Sequence, residues 1–87
     1  MKQQKLISPK TMREELDKIR KLNDTVYFNR MLELMEEISL RQIELLKKEL
    51  RYCENTTVSL QFRHYIHKQI TQYRELLKDL YEMRNAK

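Results

Sequence analysis

Two histidines, one cysteine, several adjacent acid pairs and an uneven supply of lysine and arginine are the residues of this 87-residue chain whose types could do chemistry. His64 and His67 stand three apart, a spacing that could share a metal with Cys53 or a carboxylate if all were on one helix face. On a helical wheel they lie about 60° apart and outside the apolar arc, and no second cysteine or further histidine is within helical reach. They read as surface side chains, and no metal or cofactor is expected. Cys53 falls on a core face with no base positioned to make its thiol a nucleophile, so it reads as a small buried residue. Glu14-Glu15 and Glu36-Glu37 are pairs that helices expose routinely, and most acids have a base three or four residues away, as Glu44 has Lys48. No acid–base constellation emerges, and the chain is not expected to be an enzyme.

The basic residues carry more information. The formal net charge is +5, and it is concentrated. Residues 1–22 hold seven Lys+Arg against three acids, residues 23–53 five against six, and residues 54–87 six against four. Lys10, Arg13, Lys18, Arg20 and Lys21 crowd one short segment, while Arg63, His67, Arg74 and Lys78 align within about 60° along another. Either set could follow a phosphate backbone, so nucleic acid is a possible partner. The same long side chains could equally rim an apolar interface or meet an acidic protein.

Composition limits what can position these groups. The chain has no glycine and one proline, which excludes Gly-dependent hairpin turns, phosphate-cradling loops and nucleophile elbows. Apolar residues make up 40% and charged residues 36%, a balance suited to amphipathic helices. No apolar run is long enough for a membrane span, so no membrane is expected, and the chain reads as a cytoplasmic protein.

Periodicity then divides the chain into a basic flexible arm over 1–8 and a single helical domain over 9–87. Ser8-Pro9 and the Thr11…Glu14 box are start signals for a first helix over about 9–22, with Met12, Leu16, Ile19 and Leu22 on one stripe. Asn23-Asp24-Thr25 marks a break, although a continuous helix is also compatible with the absence of Gly and Pro. A second helix over about 25–53 carries Phe28, Met31, Leu32, Met35, Ile38, Ile43, Leu46 and Leu50 on one side, with a second apolar stripe of Tyr27, Leu34, Leu45 and Tyr52 beside it. A third, over about 57–84, places Phe62, Ile66, Gln69, Tyr73, Leu76, Leu80 and Met83 in a coiled-coil seam.

The expected fold is therefore all-α: a long antiparallel helical hairpin with a shorter N-terminal helix, forming a three-helix bundle or a dimeric helical bundle. A tight turn between Asn55 and Thr56 would oppose Met35 to Leu76 and Gln42 to Gln69. The first helix is expected to lie across the second stripe. Its four seam residues are few for that task, so self-association or a protein partner is expected, a homo-oligomer such as a dimer included. The leading reading is a non-enzymatic protein–protein interaction module, an adaptor, inhibitor or assembly factor, acting through Tyr27, Leu34, Leu45 and Tyr52. The alternative is a small basic nucleic-acid-binding accessory or regulatory protein that uses the two basic sets.

Overall fold

The computed structural model describes residues 8–54 and 59–85, apart from the side chain of Glu54. It contains three helices, α1 (Pro9–Arg20), α2 (Thr25–Glu54) and α3 (Leu60–Asn85), and no strand among the described residues. The all-α hairpin is present, with α2 and α3 packed together most extensively and α1 against both.

The helix starts follow from local chemistry. Ser8 is the N-cap of α1, its Oγ accepting from the Thr11 backbone N–H at 3.0 Å, and Pro9 occupies the first helical position. Thr11 is thus already inside the helix, so the Thr11…Glu14 box does not begin it. The break between α1 and α2 is made by adjacent residues with different roles. Asn23 adopts φ 57°, the left-handed conformation that asparagine tolerates better than most residues. Asp24 then caps α2, its Oδ1 accepting from the Tyr27 N–H at 3.0 Å. Because α1 ends at Arg20, Leu22 falls in the turn and is exposed rather than part of the α1 stripe. The expected turn at Asn55–Thr57 lies outside the described residues. Ser59 caps α3, accepting from the Phe62 N–H at 3.1 Å.

Helix length decides the architecture. At about 1.5 Å per residue, α2 is roughly 45 Å long and α1 only about 18 Å. Since α1 leads directly into the first residue of α2, it can cover only the half of the hairpin nearest that turn, here called the lower half. The deepest core lies there: Met12 from α1, Leu32 and Met35 from α2, and Leu76 and Leu80 from α3 are fully or almost fully enclosed. Met12, Leu16 and Ile19 seat α1, each worth about 1.5–3 kcal/mol when fully buried. Ser39 is buried opposite Met12, and its hydroxyl donates to the Met12 sulfur at 3.8 Å, so the small side chain admits α1 while its polar atom keeps a partner.

Two expectations require correction. First, α1 does not lie across Tyr27 and Leu34, which remain exposed. It occupies the groove between α2 and α3: Arg13 pairs with Asp79 of α3 at 2.6 Å, and the Arg20 guanidinium stands over the Phe28 ring of α2 at 5.8 Å and reaches the Met83 sulfur at 3.6 Å. The groove offers apolar surface from two helices at once, whereas the stripe offers one.

Second, the hairpin register differs. A turn at Asn55–Thr56 would place Glu36 opposite Glu75 and leave Arg84 nine residues, about 13 Å, away along the axis. In the structure Arg84 Nη1 bonds both carboxylate oxygens of Glu36, at 2.8 and 3.0 Å. The described parts of the hairpin end at Glu54 on α2 and resume at Ser59, with α3 starting at Leu60. Gln42 and Gln69 are half-buried and share no hydrogen bond, and Ile70 is the more deeply buried residue at that level of α3.

Candidate interaction groove

Heptad rows show what becomes of the inter-helix groove above α1. Residues seven apart on a helix drift by only about 20°, so each row keeps one direction over two or three heptads. On α3 the rows that meet α1 contain Asp79 and Met83. Followed upward, they run through Gln72 to Tyr65 and through Leu76 and Gln69 to Phe62. On α2 the row of Ser39 continues to Leu46 and Cys53, that of Phe28 to Gln42 and Glu49, and the neighbouring row of Met31 and Ile38 to Leu45 and Tyr52.

Burial along these rows changes where α1 stops. Met31 and Ile38 are half-buried against the core, whereas Leu45 is 49% and Tyr52 65% exposed. Leu76 is fully buried and Met83 half-buried, whereas Phe62 is 42% and Tyr65 56% exposed. The floor of the upper half is closed, since Ile43, Cys53, Ile66 and Ile70 are buried. What remains is an open groove of about 620 Å³ along α2, lined by Gln42, Leu45, Leu46, Lys48, Glu49 and Tyr52. On α3 the exposed Phe62 and Tyr65 have near-parallel rings, their centroids 6.4 Å apart and their planes inclined by 22°. Burial raises the Tyr73 phenol above its usual value of 10, and the Tyr65 phenol adds to the effect.

The four interface residues expected from sequence therefore divide. Leu45 and Tyr52 belong to the upper groove. Tyr27 and Leu34 occupy the adjacent row, one that becomes charged above them as Arg41 and Lys48. Phe62 and Tyr65 were not among the expected interface residues. The signal that could have found them was the difference in length between the first helix and the hairpin.

The basic residues divide as well. Arg13 is paired with Asp79, Lys18 with Glu15 at 3.4 Å, and Arg20 rests on Phe28, while Lys10 and Lys21 are exposed. On α3, His67, Arg74 and Lys78 are exposed, and Arg63 is half-buried with its Nε enclosed and unpartnered. Lys78 is one residue, about 100°, from the Asp79 that faces α1, and Arg74 is turned further in the same direction. The α3 stripe thus lies away from α1, and the two basic sets do not form one surface.

His64 is exposed and Cys53 is a buried free thiol. Among the described residues no group of three or more His, Cys, Asp or Glu side chains is placed to hold a metal. None of the described helices is long and apolar enough to cross a membrane. No family model, curated protein or solved structure matches the chain.

Proposed function

We propose that the protein is a non-enzymatic helical interaction module that takes an amphipathic helix of a partner protein into the upper length of its inter-helix groove. The observation that carries this reading is the row Met31–Ile38–Leu45–Tyr52, half-buried in the lower half and exposed beyond it. α1 already supplies the pattern for such a contact. It presents Met12, Leu16 and Ile19 to the same groove, at the spacing by which helix-in-groove partners are read. A partner helix of about 12 residues would span roughly the 18 Å from Gln42 to Cys53.

A second copy is the less favourable occupant, because groove-to-groove contact would oppose Arg41, Lys48 and Lys68 of one chain to the same residues of the other. Nucleic-acid binding has weaker support, since Arg13 and Arg20 help to seat α1 and the α3 stripe is on a separate face.

The test uses stapled, fluorescein-labelled 12-residue helical peptides with leucines at i, i+4 and i+7, followed by anisotropy. Wild type is expected to bind at least one of them, and Leu45→Asp with Tyr65→Asp to lose binding while keeping its helical circular dichroism and monomeric mass by light scattering. Failure of every peptide to bind, or equal binding by the double variant, contradicts the reading.

A further inference from the structure

The two lengths of the groove differ in charge as well as in occupancy. In the lower half, residues 25–39 and 73–85 of the hairpin hold four Lys+Arg against six acids, a balance of −2. The helix that fills this half has four Lys+Arg against three acids, a balance of +1, and it is fixed at the rim by an ion pair from Arg13 to Asp79. In the upper half, residues 40–54 and 60–72 hold six Lys+Arg against three acids, a balance of +3, and α3 contributes no acid between Leu60 and Gln72.

The reversal occurs within single rows. Glu75 lines the cleft between α1 and α3 together with Lys10 and Arg13, and one heptad above it the rim residue is Lys68. On α2 the exposed row of Tyr27 and Leu34 becomes Arg41 and Lys48, and Lys48 lines the upper groove. Arg41, Lys48 and Lys68 are exposed, and none has an ion-pair partner among the described residues. Glu49 is the one acid on the groove-facing rows. The cross-helix ion pairs Arg13–Asp79 and Arg84–Glu36 belong to the lower half.

We infer that the helix received by the upper groove is acidic: an amphipathic segment with apolar residues at i, i+4 and i+7 and Asp or Glu along both margins. This rests on the helix-in-groove reading above and specifies the partner's chemistry. The apolar floor and the aromatic pair Phe62 and Tyr65 take the leucine-type positions. Arg41 and Lys48 meet the carboxylates on one margin, and Lys68 meets those on the other. Because these bases are solvated, their contribution is selectivity and salt dependence more than raw affinity. The same rims disfavour the chain's own basic segments, including residues 1–7 with Lys2 and Lys5.

The experiment uses the full chain and three stapled 12-residue peptides that share the leucine spacing and differ in having Glu, Gln or Lys margins. At 50 mM salt the Glu peptide is expected to bind about tenfold more tightly than the Lys peptide, with Gln between them, and 500 mM salt should erase the difference. Arg41→Glu, Lys48→Glu and Lys68→Glu together should invert the order. All three sites are exposed and unpaired, so unchanged circular dichroism is expected. Equal binding of Glu and Lys peptides would overturn the charge assignment while leaving the helix-in-groove reading intact, whereas no binding by any peptide would remove both. Two further results would overturn the proposal. One is that deleting residues 1–7 tightens all three peptides alike, which would assign the groove to the chain's own arm. The other is that a 20-nucleotide DNA displaces the Glu peptide while the charge-reversed triple variant no longer binds that DNA, which would assign the rims to phosphate.

Discussion

The lower and upper halves of the hairpin are built from the same rows of the same two helices, yet one is finished and the other is not. Below, α1 closes the groove, the rows from α2 and α3 end in fully enclosed Met35, Ser39, Leu76 and Leu80, and ion pairs join the helices across the surface. Above, the floor is closed by Ile43, Cys53, Ile66 and Ile70, but the walls present Leu45, Tyr52, Phe62 and Tyr65 to water. The margins turn from acidic to basic between the halves, but the seams stay apolar in both, so an apolar residue at a seam position has different consequences depending on whether a third helix reaches it.

The contrast can be broken most forcefully from the lower half. Leu76 is fully enclosed, and Leu76→Ala should cost about 2–5 kcal/mol, lowering Tm by about 10 °C or more. A smaller effect, about 1 kcal/mol in urea unfolding, is expected from Asp24→Ala, which removes the cap that reverses the chain from α1 into α2. Leu45→Ala should change stability by no more than about 0.5 kcal/mol, because no other helix covers that side chain. A loss of several kcal/mol there would mean that the upper groove is closed in solution.

The smallest effect is a pH dependence at Tyr73. Burial raises its phenol above 10 in the folded chain, so the folded state holds the proton more firmly than the unfolded one. The resulting stability is fully present below pH 10 and is lost as the pH rises through the folded value. Tyr73→Phe should therefore flatten the alkaline fall of Tm above pH 10, and an unchanged fall would place the titrating group elsewhere.

Much of this fold is legible in the sequence. Periodicity locates three helices, Ser8-Pro9 and Asn23-Asp24 mark real boundaries, and the apolar side of the second helix is the buried one. The hairpin register is not legible, because helical periodicity fixes which face of each helix is apolar but not which levels of the two faces oppose one another, as the Arg84–Glu36 pair shows. The groove is only half legible. Repeat spacing shows that Phe62, Leu76 and Met83 share a face, but not that α1 covers Leu76 and leaves Phe62 exposed. A helical wheel superposes Tyr27 and Leu34 on Leu45 and Tyr52, although Tyr27 and Tyr52 are about 37 Å apart along the axis. Ser39 gave no apolar signal, yet it is where α1 comes close.

The central claim, that the upper groove is a receptor for an acidic helix, is tested most directly by titrating the ¹⁵N-labelled full chain with the Glu-margined peptide and mapping amide shift changes. The account predicts changes confined to residues 41–53 of α2 and 60–72 of α3, with Pro9–Arg20 unmoved. Changes centred on α1 or on the Arg74–Lys78 face, or no changes at peptide concentrations up to 1 mM, roughly the weak limit of specific recognition, would contradict it.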